Sequence, residues 1–178
     1  MKNSKDPKEQ FKPIGTIDGL SCYGRYKLRF YPQRMKNGRK YLDSNTCSEA
    51  VMYLLEDRLT YYGIHGEVVM PYSHLADVSI SDERLGRDLK TSSHTNILRI
   101  TPKKSANVYF YCNFDEKGWG EYPELPETEP EDLEKIADTV GYLMEKLGLK
   151  SGRLPKMHTA VVETTDAFLK PWIGKNYD

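Results

Sequence analysis

The sequence predicts an α+β protein, a single compact domain with a mainly antiparallel sheet and two principal helices. Several segments alternate apolar and polar side chains with the period of two that is typical of strands. Two further segments repeat apolar residues at helical spacing. No polar stretch is long enough to separate two domains, so we expect strands and helices to alternate along one unit.

The length and composition are typical of one globular domain. The chain has 178 residues, of which 38% are hydrophobic and 29% are charged. Residues 1–12 are polar and offer little to bury, so we expect a flexible N-terminal arm there and a single domain over residues 13–178. The formal net charge is zero, so any attraction to a polyanion must come from a local patch.

The segment 20–31 predicts a strand with two chemically opposite faces. Side chains alternate along a strand, so one face is apolar and the other is basic in the middle and aromatic at both ends. Cations beside flat rings suit a polyanion whose bases can stack. The apolar face holds Leu20, Cys22, Tyr26, Leu28 and Phe30, and the basic face holds Tyr23, Arg25, Lys27, Arg29 and Tyr31.

After this strand the chain predicts a tight turn at Asn37–Gly38, a dipeptide that tolerates positive φ, with a second strand at 39–42 returning beside the first. Residues 20–41 include seven basic residues and no acidic ones. We therefore predict one basic hairpin that contacts phosphates and stacks bases; the alternative is a strand edge protected against aggregation. The predicted nucleic-acid-binding residues are Tyr23, Arg25, Lys27, Arg29, Tyr31, Arg34, Lys36, Arg39, Lys40 and Tyr41.

Two segments predict helices. Thr46 and Glu49 have the spacing of a capping box, and apolar residues then recur at helical intervals up to Gly63. A longer helix is expected to begin near residues 128–131 and to end before Gly148. Its apolar face holds Leu133, Ile136, Ala137, Val140, Met144 and Leu147.

The remaining strands are predicted from short runs rich in β-branched and aromatic residues. They are residues 67–70, 75–80, 96–101, 107–114 and 157–162, of which the third and fourth form a hairpin. A short helix capped near Ser81 is expected to follow the second of these strands.

The segment 115–134 is the opposite of the hairpin in charge, with nine acidic residues against Lys117 alone. Its simplest interpretation is a solvated loop whose last acidic residues favour the positive N-terminal end of the following helix. An alternative is that it recruits a basic protein partner, or folds over the basic hairpin and competes with nucleic acid. A further alternative is self-assembly, in which this loop pairs with the basic surface of another copy in a homo-oligomer.

The sequence leaves open whether the protein is an enzyme. A small nuclease or phosphodiesterase would use His94 and His158 as general acid and base, with Lys103 or Arg99 stabilising the phosphate. This alternative rests on scattered histidines and on no recognised motif.

Metal and cofactor motifs are missing from the sequence, so neither a metal nor a cofactor is predicted. No CxxC, HxxxH or HxH spacing occurs, and neither phosphate-binding glycine pattern, GxGxxG or GxxxxGK[ST], is present. The compact carboxylates Asp77, Asp82 and Glu83 are closer to the pattern of a helix N-terminus than to that of a magnesium site.

These patterns predict a cytoplasmic nucleic-acid-binding protein. Single-stranded DNA or RNA is favoured over a duplex, in which the hairpin would enter a major groove with Arg25 and Arg29 reaching base edges. Three well-separated cysteines and the lack of an apolar leader after Met1 indicate a reducing compartment. No stretch approaches the roughly 20 apolar residues that span a bilayer, so no membrane is expected.

Overall fold

Ten strands and one α-helix form the regular structure of residues 11–63, 66–112 and 125–149, the part of the chain that the computed structural model describes. The helix, α1, spans Pro130–Lys146, and a turn of 3-10 helix spans Tyr72–His74. The strands are β1 (Gly15–Ile17), β2 (Leu20–Phe30), β3 (Gln33–Lys36), β4 (Arg39–Asp43), β5 (Ser48–Leu55), β6 (Arg58–Gly63), β7 (Gly66–Pro71), β8 (Leu75–Gly86), β9 (Ser93–Pro102) and β10 (Val108–Cys112). The described fold is therefore mostly β, and the prediction of an α+β protein with two principal helices is wrong.

The strands form one curled sheet in the order β3-β4-β8-β9-β10-β2-β5-β6-β7, with β1 paired to β2 beside this path. Neighbouring strands are antiparallel, except that β4 and β8 are parallel. β2 lies in the middle of the sheet, whereas the hairpin β3–β4 lies at its edge. Three strands separate these consecutive parts of the chain.

The two faces of the sheet are covered differently. The face that packs against α1, here called the helix-side face, carries Leu28, Met52, Leu98, Ile100 and Phe110, all fully buried. α1 supplies apolar side chains at helical spacing to this core, namely Leu133, Ile136, Ala137, Val140, Leu143 and Met144. The opposite face, here called the outer face, carries Arg29, Tyr31, Ile97, Tyr109 and Tyr111. None of the helices described is both long and apolar enough to cross a membrane.

α1 confirms the longer of the two predicted helices. Pro130 stands at its first turn, where a missing N–H loses no helical hydrogen bond. The backbone N–H of Glu129 donates to Asp132 Oδ2 at 2.8 Å, which ties the first turn together. Gly148 follows the helix with φ of +76°, the left-handed conformation that commonly ends a helix.

The helix predicted over residues 46–63 is wrong, because this segment forms the hairpin β5–β6. Thr46 caps no helix; its hydroxyl donates to Asp43 Oδ2 at 2.9 Å. β5 is buried on both faces, since its even-numbered side chains face α1 while Val51 packs against Leu125 on the outer face. A run that is buried on both faces shows no strand-like alternation, and periodicity alone cannot distinguish it from a buried helix.

The short helix predicted near Ser81 is also wrong, because β8 continues to Gly86. Ser81 pairs with Ile97 of β9, and its hydroxyl donates to Glu83 instead of capping a helix. The hairpin β9–β10 and the strand β7 confirm two other predictions. Residues 113–114 and the strand predicted at 157–162 lie outside the described residues.

The turn at Asn37–Gly38 is confirmed, with φ of +54° and +76°, and it joins β3 to β4. The single hairpin predicted over residues 20–41 is not formed, because β2 ends at Phe30 and β4 pairs with β3. Pro32 accounts for the break, since it has no N–H to donate to a neighbouring strand. Its carbonyl oxygen instead accepts a hydrogen bond from the Asp43 N–H at 2.9 Å.

Residues 1–10 of the predicted N-terminal arm lie outside the described residues. Phe11 stacks on Tyr142 of α1, with the ring centroids 4.7 Å apart and the rings tilted by 17°. The chain then enters β1, a strand that the sequence did not predict, and reaches β2 through a turn at Asp18 and Gly19, both with positive φ.

Candidate functional site

The basic face predicted for β2 is interrupted by a β-bulge between Cys22 and Gly24. A bulge adds one residue to a strand and so changes the face on which the side chains beyond it lie. Tyr23 consequently packs on the helix side, with its ring 6.5 Å from that of Tyr142 and 5.9 Å from Lys146 Nζ. The ring predicted to stack on a base thus contacts α1.

The middle of the predicted basic face is covered by the segment that precedes α1. The Thr128 hydroxyl donates to the Lys27 carbonyl oxygen at 2.7 Å. The Lys27 side chain is only 3% exposed, and its Nζ lies 3.6 Å from Glu127 Oε2. Of the three cations on β2, this leaves only Arg25 in an exposed position.

The same contact bears on the acidic segment. Residues 115–124 lie outside the described residues, whereas residues 125–129 lead into α1. Glu127 contacts Lys27 of the same chain, and Glu129 belongs to the first turn of α1. Glu127 therefore pairs with a cation of its own chain, while the side chains of Glu127 and Glu129 both stay exposed.

Tyr31 is buried beneath the edge hairpin. Its ring is 3% exposed and belongs to a small apolar cluster with Leu42 of β4, Ile97 of β9 and Tyr109 of β10. Burial raises the pKa of the Tyr31 hydroxyl, so this group stays neutral. This cluster fixes the hairpin β3–β4 against the outer face.

Arg29 reaches a cleft on the outer face. Its Nη1 donates to Cys47 Sγ at 3.7 Å, and its Nη2 lies 4.0 Å from Glu49 Oε2. The side chain is 19% exposed and contributes to the lining of the cleft. The cleft has a volume of about 520 Å³, and its lining includes Arg29, Tyr31, Ser44, Cys47, Thr95 and Tyr111.

The edge hairpin β3–β4 presents an exposed basic surface. Its cross-strand pairs place Arg34 opposite Tyr41 and Lys36 opposite Arg39 on one face. We call this face, formed by those four residues, the basic hairpin face. Lys40 lies on the other face of the hairpin. Lys36, Arg39 and Lys40 are exposed and form no ion pair with any described residue.

Arg34 is the fixed member of the basic hairpin face. Its Nε donates to Asp43 Oδ2 at 3.1 Å and its Nη2 donates to Thr46 Oγ1 at 3.0 Å, while the side chain stays 47% exposed. Burial alone would raise the pKa of the Asp43 carboxyl, but hydrogen bonds from the Asn45 N–H, Arg34 and Thr46 lower it below its ordinary value. Asp43 therefore holds one end of the hairpin as a charged acceptor.

Two further cations, Arg87 and Lys90, follow β8 and were not predicted. Both are exposed, and the parallel pairing of β4 with the end of β8 brings their loop beside the hairpin. Hydrogen bonds from Thr91 lower the pKa of Asp88 in this loop, and the charge of Lys36 contributes to the shift. The proximity of this loop to the hairpin depends on the pairing of β4 with β8. These two strands are far apart in the chain, so the sequence alone did not predict it.

The described residues do not form the catalytic site that a nuclease or phosphodiesterase would need. His94 Nδ1 lies 3.0 Å from Asp82 Oδ1 on an exposed part of the helix-side face. Arg99 lies on the opposite, outer face of the same strand, where it donates to the hydroxyls of Ser79 and Ser81. His158 is outside the described residues. The structure thus separates His94 from the Arg99 that was expected to assist it.

The carboxylates Asp77, Asp82 and Glu83 lie on β8 and do not converge. Asp77 is 4% exposed, whereas Asp82 lies on the opposite face from both Asp77 and Glu83. Within residues 11–63, 66–112 and 125–149, no group of three or more histidine, cysteine, aspartate or glutamate side chains could hold a metal ion.

Comparisons with known proteins give no family assignment. No protein-family model matches the chain, and no curated protein or solved structure matches it either. Function is therefore inferred from the placement and chemistry of the side chains.

Proposed function

We propose that this protein binds single-stranded nucleic acid, with the basic hairpin face contacting the phosphates. One observation supports this above all others: Lys36 and Arg39 lie directly opposite each other across the turn, and both are exposed. Like charges in directly opposed positions destabilise a strand pair. An anionic ligand between them would relieve that repulsion, and phosphates spaced along a strand supply such an anion.

The surroundings of this pair strengthen the local positive charge. Lys40 lies on the other face of the same strand, and the neighbouring loop adds Arg87 and Lys90 against the single carboxylate of Asp88. The formal net charge of the whole chain is zero, so it is this local concentration that would attract a polyanion.

The choice of a single strand follows from the aromatic side chains near the cations. Tyr41 lies opposite Arg34 on the basic hairpin face and is half-buried, so part of its side chain is accessible. Unpaired bases can stack on such a ring, and stacking tolerates any sequence because every base has a flat face. The bases of a duplex are already stacked on one another, so they cannot stack on this ring.

The proposal is tested by neutralising two charges on the hairpin. In the Lys36→Gln/Arg39→Gln variant, we expect weaker binding to a labelled single-stranded oligonucleotide, measured by fluorescence anisotropy at several salt concentrations. Each lost phosphate contact should reduce the slope of log affinity against log salt by about 0.7, or about 1.4 for two contacts.

The matched control is Lys103→Gln/Lys104→Gln, which removes the same charge from exposed positions at the other end of β9. That site is about 30 Å from the start of the strand, at 3.3 Å per residue. We expect the control to bind as the unmodified protein does. Equal weakening by both variants would show a dependence on net charge only, and unchanged binding in the hairpin variant would overturn the proposal.

A further inference from the structure

We infer that the cleft on the outer face binds one nucleotide unit, an aromatic base linked to a phosphate. This inference rests on the proposed function, because it assigns a second contact to the same class of ligand. The cleft volume of about 520 Å³ lies within the roughly 300–1,000 Å³ typical of small-molecule sites. A cation, aromatic rings and hydroxyls meet in this one concavity.

Arg29 is the phosphate-binding group of this site. Its guanidinium is oriented by Glu49 Oε2 at 4.0 Å and by Cys47 Sγ at 3.7 Å, yet the side chain is still 19% exposed at the cleft. The planar fork of an arginine matches two oxygens of a phosphate, and a guanidinium that is already oriented loses less conformational entropy on binding.

Tyr111 is the stacking group. It pairs with Arg29 across β10 and β2, so the ring and the guanidinium lie side by side on the outer face. A base on Tyr111 would therefore bring its own phosphate to Arg29. Tyr31, which is buried on its other sides, contributes a rigid wall, and the hydroxyls of Ser44 and Thr95 offer hydrogen bonds to a base edge or a ribose.

The cleft lies beside the end of the hairpin β3–β4. Ser44 directly follows β4, and its N–H donates to the Gly86 carbonyl oxygen at 2.9 Å, so this side of the cleft is attached to the end of the hairpin. The basic hairpin face is on the opposite side of β4 from Leu42, which packs on the outer face, so a strand bound to the hairpin reaches the cleft by passing around this end. A free nucleotide offers the same chemistry, and the experiment separates the two sources.

Cys47 supplies a natural probe of occupancy. It is half-buried and lines the cleft, whereas Cys22 and Cys112 are buried elsewhere and their burial raises the pKa of both thiols. Alkylation requires the thiolate, so a small neutral reagent such as iodoacetamide should modify Cys47 first. The Cys47→Ser variant identifies the modified position by intact mass.

The test measures the rate of Cys47 alkylation with adenosine monophosphate, uridine monophosphate, adenosine or inorganic phosphate present. We expect either nucleotide to slow alkylation by about fivefold when it fills four fifths of the sites, at a concentration about four times its Kd. Adenosine and phosphate alone should need higher concentrations, because each makes half of the contacts. Protection by a short oligonucleotide at lower concentration than by free nucleotide identifies the strand as the source, and protection by free nucleotide alone identifies the free ligand.

Variants separate the cleft from the hairpin. In Tyr111→Leu and Thr95→Val, nucleotides should no longer protect Cys47 from alkylation. Arg29→Gln is tested by equilibrium dialysis with labelled nucleotide, because this measurement does not depend on the reactivity of Cys47. We expect this variant to lose nucleotide binding. Circular dichroism establishes that each variant is folded. Lys36→Gln/Arg39→Gln should keep nucleotide protection while binding oligonucleotide weakly.

Two outcomes contradict the proposals separately. If no nucleotide slows alkylation and the unmodified protein still binds oligonucleotide through the hairpin, the cleft inference is overturned and the proposed function stands. If nucleotides protect Cys47 but the hairpin variant binds oligonucleotide as the unmodified protein does, the proposed function fails and the cleft remains a site for free nucleotides.

Discussion

Lys27 and Arg39 are both basic residues of strands, but they have opposite surroundings. Lys27 is 3% exposed beneath Glu127 and Thr128, whereas Arg39 is exposed beside the turn at the sheet edge. Burying a lysine costs free energy unless its ammonium meets an opposite charge, and Glu127 supplies one 3.6 Å from Lys27 Nζ. At the scale of single residues, the covering segment therefore decides which cation can meet a ligand.

The contact from Thr128 to β2 gives a test at this scale. In Thr128→Val, the Lys27 carbonyl oxygen loses the hydroxyl that donates to it at 2.7 Å, and we expect the free energy of unfolding to fall by about 1–3 kcal/mol. Thr128→Ser keeps the hydroxyl and should lose less. Urea denaturation measures both, and a larger loss in Thr128→Ser than in Thr128→Val would show that the methyl group and not the hydrogen bond stabilises this segment.

At the scale of elements, the hairpin β3–β4 depends on a turn and on an anchor. The local sequence specifies the turn, whereas the anchor is formed by residues from distant parts of the chain. Asn37–Gly38 sets the turn, and Leu42 packs the hairpin against Tyr31 and Tyr109 on the outer face. Asp43 accepts hydrogen bonds from Arg34, Thr46 and the chain beyond β4, which fixes the far end of the hairpin. The exposed cations thus stand on a rigid support.

The Asp43 anchor predicts a pH dependence. Its pKa is lowered in the folded state from an unfolded value of about 3.9, so its contribution to stability is present above that value and is lost as pH falls through the folded pKa. Asp43→Asn should therefore destabilise the protein at neutral pH, and the difference from the unmodified protein should shrink below about pH 4. Urea denaturation at several pH values measures the difference.

Asp88→Asn is the comparison for this prediction. Asp88 also has a lowered pKa, but it is fully exposed in its loop, where solvent screens its interactions. We expect a smaller effect at neutral pH than from Asp43→Asn. A loss for Asp43→Asn that stays constant down to pH 2 would show that the charge of this carboxylate does not stabilise the hairpin.

At the scale of the whole molecule, α1 provides the core for most of the described sheet. The apolar side of α1 shares a cluster with residues from seven strands, including Leu28 of β2, Tyr61 of β6 and Met70 of β7. The helix-side face of these strands is thus covered by α1. The folding of the described residues should accordingly depend on this packing as a unit.

Ile136, which is fully buried in the middle of α1, tests this dependence. Ile136→Ala should lower the free energy of unfolding by about 2–5 kcal/mol through lost burial and the cavity left behind. Glu134→Ala, an exposed change on the same helix, should have little effect. Tyrosine fluorescence and far-ultraviolet circular dichroism should report the same transition, and an early loss of helix alone would show that α1 is not coupled to the sheet.

Local patterns in the sequence determined the elements whose structure depends on nearby residues. Pro130, the apolar spacing of α1 and Gly148 define a helix within one segment, and Asn37–Gly38 defines a turn within two residues. The basic hairpin face was predictable for the same reason, because Lys36 and Arg39 meet across that turn.

Tertiary structure decided what depends on distant parts of the chain. The sequence predicts a helix where β5 forms because Leu125 and α1 bury both faces of this strand, which removes the alternation that reveals a strand. The parallel pairing of β4 with β8 brings Arg87 to the hairpin, and the order of the sheet places Tyr111 beside Arg29 in the cleft. Burial and strand pairing are set by the whole fold, because the free energy of each contact depends on which other segment covers it. The sequence of a single segment does not show which segment that is.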